Sequence, residues 1–439
     1  MLRRELAIVL AARITWLSAA AAALLVGHGF VLAVDLFTAG SRSALSNALM
    51  SREFDPLLGI VRPTLGGLYL ATSLFGPLIG ARAIAIEKDR RTFAARLLAT
   101  GSAGRFLASK GVAALAGTAL PLVGAAALLV SWRLVGGHLA VGETAVALCG
   151  HLLYAAFVTA VGLAAGALAR GFAQAATGAL LAIAFTWAID AAEGFSALAW
   201  LGGAAAWSPS THLRPFEQGT FDLAATGWLV GATLGALVFA WAGCRFDWHG
   251  RRRAGALVGS SLVFVLAAGG LRSLTGAWDL SELRRHSLPP AAAAELRRLP
   301  ERPRLVVNLD REDSRRRQLE SDALARLRLA RPDLAVRFPP DERRAPEAIE
   351  RDDGYGRLTV FVGERSRETT SISRRELTTI IFELAGRPLP DWSAPEYPGY
   401  PLVVEGGRRR MVLAVSYLAL PLLFLFLGVA LTTGRRRLT

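Results

Sequence analysis

Residues 144–168 read Thr-Ala-Val-Ala-Leu-Cys-Gly-His-Leu-Leu-Tyr-Ala-Ala-Phe-Val-Thr-Ala-Val-Gly-Leu-Ala-Ala-Gly-Ala-Leu, 25 positions without a charged side chain. At about 1.5 Å of rise per residue, a helix of that length exceeds the roughly 30 Å hydrocarbon core of a bilayer. A helix satisfies every backbone N–H and C=O internally there, so this stretch decides the fold class. Taken back to Glu143, it is one of eight long apolar runs, at about 14–36, 64–86, 111–134, 143–168, 172–190, 223–244, 254–274 and 411–433. The expectation is a polytopic α-helical membrane protein with eight transmembrane helices. Ala and Gly are abundant in the runs, as expected where close packing drives helix association in lipid. Composition agrees: 53% of the 439 residues are apolar and 19% charged, with a mean hydropathy of +0.38, against roughly 25% charged in soluble domains.

The net charge is +15, yet residues 278–410 hold 26 Arg against 23 acids, leaving 24 Lys and Arg against 12 acids elsewhere. The excess therefore belongs to the apolar part, interleaved between its runs. That pattern fits loops held at an anionic membrane surface and not a nucleic-acid patch. Cys149 and Cys244 both lie in apolar stretches, which excludes a disulfide framework or a Cys-rich metal site. The six histidines, His28, His138, His151, His212, His249 and His286, never recur at helical ligand spacing. Of the two lysines, Lys88 follows Glu87 and Lys110 follows Ser109, so neither sits in the Gly-Lys-Ser/Thr that cradles phosphates in a Walker A loop. Gly-x-Ser-x-Gly and Gly-x-Gly-x-x-Gly fingerprints are also missing, and no catalytic, cofactor-binding or metal-binding set is expected on this chain.

Orientation follows from Lys and Arg in short loops. With the N-terminus cytoplasmic, Lys88, Arg90, Arg91, Arg96, Arg105, Lys110, Arg170, Arg251, Arg252 and Arg253 all stay inside, as do Arg435, Arg436 and Arg437. The C-terminus then returns to the cytoplasm, and residues 278–405 form a small extracytoplasmic α/β domain. Within it, 304–309 and 357–363 read as strands, Leu334 to Phe338 as another, and Glu364 to Arg367 as a partner strand. Leu319, Ala323, Leu327 and Ala330 set the helical period across 314–331, and Ser373 with Glu376 has capping-box spacing at the head of a helix to Ala385. Five prolines in 388–401 mark a stiff connector.

Three short regions stand out. Residues 87–110 place Phe93 and Leu97 on one face of a helix that ends at Gly101, with Arg91 and Arg96 elsewhere; this is either a helix resting on headgroups or a docking element for a cytoplasmic partner. Residues 207–222 hold Ser208-Pro209 and Gly219, the punctuation of a turn and re-entry before the sixth span. Residues 278–300, just after the seventh span, open Trp-Asp-Leu-Ser-Glu-Leu-Arg-Arg-His-Ser-Leu. Elsewhere, Asp190 and Glu193 lie at an outer span end, and His151 with Tyr154 reads as interhelical hydrogen bonding.

The first region resembles the loop of type-2 ABC exporter permeases between the second and third spans. Glu87, Thr92, Leu97, Leu98, Thr100 and Lys110 are the counterparts; Arg91 stands where that family has Gly, and Gly101 where it has Pro. The second region is similar to the Ser-Pro-x-x-His-Phe…Gly-x-Ile-Asp pattern of gliding-motility ABC permeases, through Ser208, Pro209, His212, Phe216, Gly219 and Asp222, with no catalytic role implied for His212. The third resembles the opening of the gliding-motility auxiliary domain, through Asp279, Leu280, Ser281, Arg285, Ser287 and Leu288. The resemblance implies a six-span permease at 1–250 followed by an auxiliary unit at 251–439, made of a span (254–274), an outer domain (278–405) and a span (411–433). It also implies an ATPase-docking loop of Glu87, Arg91, Thr92, Phe93, Leu97, Leu98 and Lys110, and a separate ATPase subunit that holds ATP and Mg. Two permeases would pair as a homodimer or heterodimer in a bacterial inner membrane. The rival is an envelope assembly or mechanotransmission protein, driven by an ATPase without substrate flux and pulling on an envelope partner.

Overall fold

The computed structural model describes residues 1–47, 51, 54–192, 204, 207–245, 250–271, 273–274, 276–284, 287–310, 313–339, 354–388 and 399–436. Its contacts divide into two compact units, Met1–Leu280 with Tyr397–Thr439, and Ser281–Glu396. Eight helices among the described residues are long and apolar enough to cross a membrane: Arg13–Leu45, Leu57–Asp89, Ala103–Leu134, Val141–Leu168, Phe172–Ala191, Leu223–Cys244, Ala254–Leu271 and Gly406–Thr433. The chain is a multi-pass helical membrane protein, and each run read from the sequence coincides with one of these helices.

The first unit begins with a short amphipathic helix, α1 (Leu2–Leu10), then α2 (Arg13–Leu45), the first span. A π-turn at Leu57–Val61 leads into α3 (Arg62–Asp89), followed by the short α4 (Phe93–Thr100). The third span is α5 (Ala103–Thr118) continued by α6 (Leu120–Leu134), and α7 (Val141–Leu168) and α8 (Phe172–Ala192) follow. Then come α9 (Pro209–Glu217), β1 (Thr220–Asp222), α10 (Leu223–Cys244), α11 (Gly250–Leu271) and β2 (Ala277–Asp279). The contact of α3 on α7 is made by small residues. A methyl group on Gly80 would fall on the Thr159 carbonyl, one on Gly162 on the Pro77 carbonyl, and one on Gly166 within 2.6 Å of the Ala81 carbonyl. With no side chain between them the backbones touch, and the dispersion gained replaces the hydrophobic force that lipid cannot supply. The last span packs against the first: Trp16 lies against Phe424 with ring centroids 6.3 Å apart, and Arg409 meets Asp35 at 3.1 Å.

The second unit is a four-stranded sheet with helices. After a turn of 3-10 helix (Glu282–Arg284) come α12 (Pro290–Arg298), β3 (Pro303–Val307) and α13 (Ser314–Gln318), which continues through a π-turn (Leu319–Leu324) into α14 (Ala325–Ala330). β4 (Ala335–Arg337), β5 (Leu358–Val362), β6 (Arg365–Thr369) and α15 (Arg374–Leu384) complete it. The order is β4-β3-β5-β6, parallel between β3 and β4 and antiparallel elsewhere, with Leu305 opposite Val360. Alternation puts Leu305, Val307, Leu358, Val360 and Val362 inside with Leu377 and Ile381. Buried Arg331 donates to the carbonyls of Leu299 at 2.6 Å and Leu296 at 2.9 Å, closing the end of α12. The capping box expected at Ser373 does not form: Ser373 makes no side-chain cap, and Glu376 instead accepts from Thr369 Oγ1 at 2.8 Å. The Ser373 amide that a capping box would give to Glu376 donates instead to Ser371 Oγ at 3.1 Å. The proline connector falls mostly at 389–398, outside the described residues.

Candidate functional site

At its C-terminus α3 stops in a Schellman turn. The Thr92 amide donates to the Glu87 carbonyl at 2.8 Å and the Arg91 amide to the Lys88 carbonyl at 3.0 Å, with Arg91 left-handed at φ 56°. That geometry favours glycine, so an arginine there carries backbone strain. The turn swings α4 back against the spans until Gly101, at φ 69°, ends it. Lys88 donates to the carbonyls of Ala167 at 2.5 Å and Ala169 at 2.8 Å, closing the end of α7. The next residue, Asp89, accepts from the Phe172 amide at 3.2 Å at the start of α8. One turn of chain thus ties the end of α3 to the α7–α8 connection.

On the other face of that turn lies a buried ion network. Glu5 of α1, Glu87 of α3 and Lys110 of α5 are 2%, 2% and 3% exposed. Lys110 Nζ bonds Glu5 Oε2 at 2.7 Å and also Glu87 Oε1. Arg96 of α4 bonds Glu87 Oε1 at 2.5 Å and approaches Glu5 at 3.7 Å. Two acids and two bases neutralise one another, the condition under which charges persist in a low-dielectric interior. The network joins α1 and α4 to the second and third spans. Glu87 Oε2 has no hydrogen-bond partner among the described residues.

The docking-loop residues read from the sequence divide sharply here. Glu87 and Lys110 form the network's centre. Phe93 and Leu97 do share a face, but it points into the molecule: Leu97 is buried, and Phe93 meets Phe106 edge-on at 5.7 Å. The outward apolar residue is Leu98, 70% exposed, flanked by exposed Ala94, Ala95 and Ala99; Arg91 is also exposed and Thr92 half-buried. Sequence reasoning missed Glu5, although it is the sole acid among the first 34 residues. It also set Arg96 away from the face of Phe93 and Leu97 without giving it a partner.

The other two regions meet each other. β1 pairs antiparallel with β2, setting Thr220 opposite Asp279 and Asp222 opposite Ala277, and the Leu280 amide donates to the Gly219 carbonyl at 3.0 Å. Ser208 and Asp222 cap α9 and α10, Pro209 occupies the first turn of α9, and Gly219 is left-handed at φ 75°. His212 stacks on Trp228 at 4.4 Å, and Phe216 is fully buried. These residues are punctuation and packing in the structure. Ser281 is buried, Ser287 donates its hydroxyl to the Arg284 carbonyl at 3.2 Å, and Leu288 joins the second unit's core, while Arg285 lies outside the described residues.

The isolated polar residues also find neighbours. His151 contacts Glu217 of α9 at 3.3 Å, and Tyr154 meets Ser73 of α3 at 2.6 Å, so both act between helices. Asp190 Oδ1 is buried without a partner among the described residues, and Glu193 falls outside them. In the second unit Asp313 caps α13, and its hydrogen bonds from Arg315 hold its pKa at about 2. Hydrogen bonds from Ser371 and Thr369 lower that of Glu376. Among the described residues, no three His, Cys, Asp or Glu side chains gather as a metal site. Comparison of the chain with family models, with characterised proteins and with solved structures returns no match.

Proposed function

We propose that this chain is the permease subunit of an ABC-type exporter, coupling ATP hydrolysis on a separate subunit to translocation across a bacterial cytoplasmic membrane. The observation that carries the reading is the buried network of Glu5, Glu87, Arg96 and Lys110. A short helix standing outside the spans is useful as a lever only if force applied to it reaches them. Here α4 is joined through Arg96 to α3 and, through Glu87 and Lys110, to α5 and α1. The left-handed turn at Arg91 supports the resemblance as well, since it lies where that family carries glycine.

In this reading the ATPase, with its ATP and Mg, meets the outward face of α4 at Leu98, and this chain binds no cofactor. Two permeases pair around two ATPase subunits, both chain ends lie in the cytoplasm, and residues 281–396 stand on the outer face. Purification from native membranes tests it. A Walker-A-bearing ATPase is expected to copurify stoichiometrically with the wild type and to drop about tenfold or more with Leu98→Asp, at a side chain that is mostly exposed. If the ATPase copurifies but reconstituted vesicles show no ATP-driven flux of any lipid, peptide or polysaccharide, the mechanotransmission reading replaces export. If no ATPase copurifies, both fail.

A further inference from the structure

Between α1, the start of α2 and the end of α3 lies a cavity of about 120 Å³, far more than the 10–15 Å³ that one water needs. Its walls include both network acids, Glu5 and Glu87, and four bases, Arg82, Arg90, Arg96 and Lys110. Lys110 and Arg96 are matched by the two acids. The guanidinium groups of Arg82 and Arg90 have no ion pair or hydrogen bond among the described residues, so the cavity carries two unmatched positive charges. Arg82 is half-buried within a membrane-spanning helix, and Arg90 is exposed at that helix's end. An intramembrane arginine without a counter-ion is costly, and the cost is removed by an anion.

Apart from Thr15 and Thr92 the rest of the lining is apolar, with Ile8, Ile79 and Ile86 inside and Ile14, 44% exposed, at the edge on the first turn of the first span. A site that is cationic at one side and aliphatic at the other, at the end of a membrane helix, matches a phospholipid. The partnerless Glu87 Oε2 adds an acceptor on the same wall, suited to a headgroup hydroxyl. We infer that this cavity binds the headgroup of an anionic, hydroxyl-bearing phospholipid, its phosphodiester held by Arg82 and Arg90. The site requires only that the spans lie in a bilayer, so it stands or falls apart from the exporter reading.

The test uses the full-length protein in detergent, titrated with dioleoyl phosphatidylglycerol, dioleoyl phosphatidylcholine or inorganic phosphate, with lipid adducts counted by native mass spectrometry. The wild type is expected to bind phosphatidylglycerol at least tenfold more tightly than phosphatidylcholine. Each arginine contributes roughly fivefold, the equivalent of about 1 kcal/mol per cationic side chain at an anionic surface. Arg90→Gln should therefore lose about fivefold and R82Q/R90Q about 25-fold, while Arg105→Gln, an exposed arginine outside the cavity, leaves binding unchanged. Should the Arg82 variants fail to fold, Arg90→Gln alone decides, since its side chain is exposed. Equal binding of the two lipids, or equal loss in Arg105→Gln, overturns the proposal. Displacement of phosphatidylglycerol by millimolar inorganic phosphate also overturns it, in favour of a free-phosphate site.

Discussion

The four charges of the network are not interchangeable. Lys110 touches both acids, whereas Arg96 reaches Glu5 only at 3.7 Å. Lys110→Met therefore leaves Glu5 stranded with only the 3.7 Å contact to Arg96, and breaking a buried pair costs up to about 3–5 kcal/mol. Unfolding of purified protein is expected to show that loss, and Glu5→Gln on top of Lys110→Met should restore part of it because it removes the stranded charge. Additive losses would mean that the two side chains do not interact. Arg91 offers the opposite sign. Held left-handed at φ 56° with its side chain exposed, it gives up about 1 kcal/mol of strain when replaced by glycine. Arg91→Gly should thus raise stability in the same assay; a decrease would mean that the Arg91 side chain makes a stabilising contact.

At the level of helices, the α3–α7 contact depends on the absence of side chains. Gly162→Ala sets a methyl group against the Pro77 carbonyl, and separating two packed helices costs about 1–3 kcal/mol. Gly178→Ala on α8, where a methyl group meets nothing within 4 Å, is the matched control and should be neutral or slightly stabilising. Equal effects of the two would contradict close backbone contact. The spans themselves were legible because a bilayer demands long apolar runs with few charges, a condition that each helix satisfies alone. Their pairings were not, since glycine abundance announces close packing without saying which helix lies opposite. The strands β1 and β2 escaped for a related reason: three residues each, they show no period and exist only as a pair. The capping box at Ser373 misled because spacing describes one helix, while the hydroxyls that bond Glu376 come from the end of β6 and the residues after it.

For the molecule as a whole, the seventh and eighth spans group with the first six in one compact unit, and the second unit lies between those two spans in the chain. The site was half legible. Glu87 and Lys110 stood out in the loop, but their meaning depended on Glu5, which only the tertiary fold brings to them. The amphipathic pattern of α4 correctly grouped Phe93 with Leu97, yet amphipathicity cannot say whether the apolar face turns toward the protein or toward a partner. Leu98, on the free side, is where the account places the contact with an ATPase. Because the chain has only Cys149 and Cys244, a cysteine-free background needs two substitutions. Crosslinking from Leu98→Cys in that background, in native membranes, tests the contact with an ATPase. One adduct containing a Walker-A-bearing ATPase is expected, absent when the cysteine is placed at exposed Leu181 within the fifth span. A Leu98→Cys that gives no such adduct and is instead labelled only by membrane-soluble reagents would show that α4 rests on lipid and that the docking account is wrong.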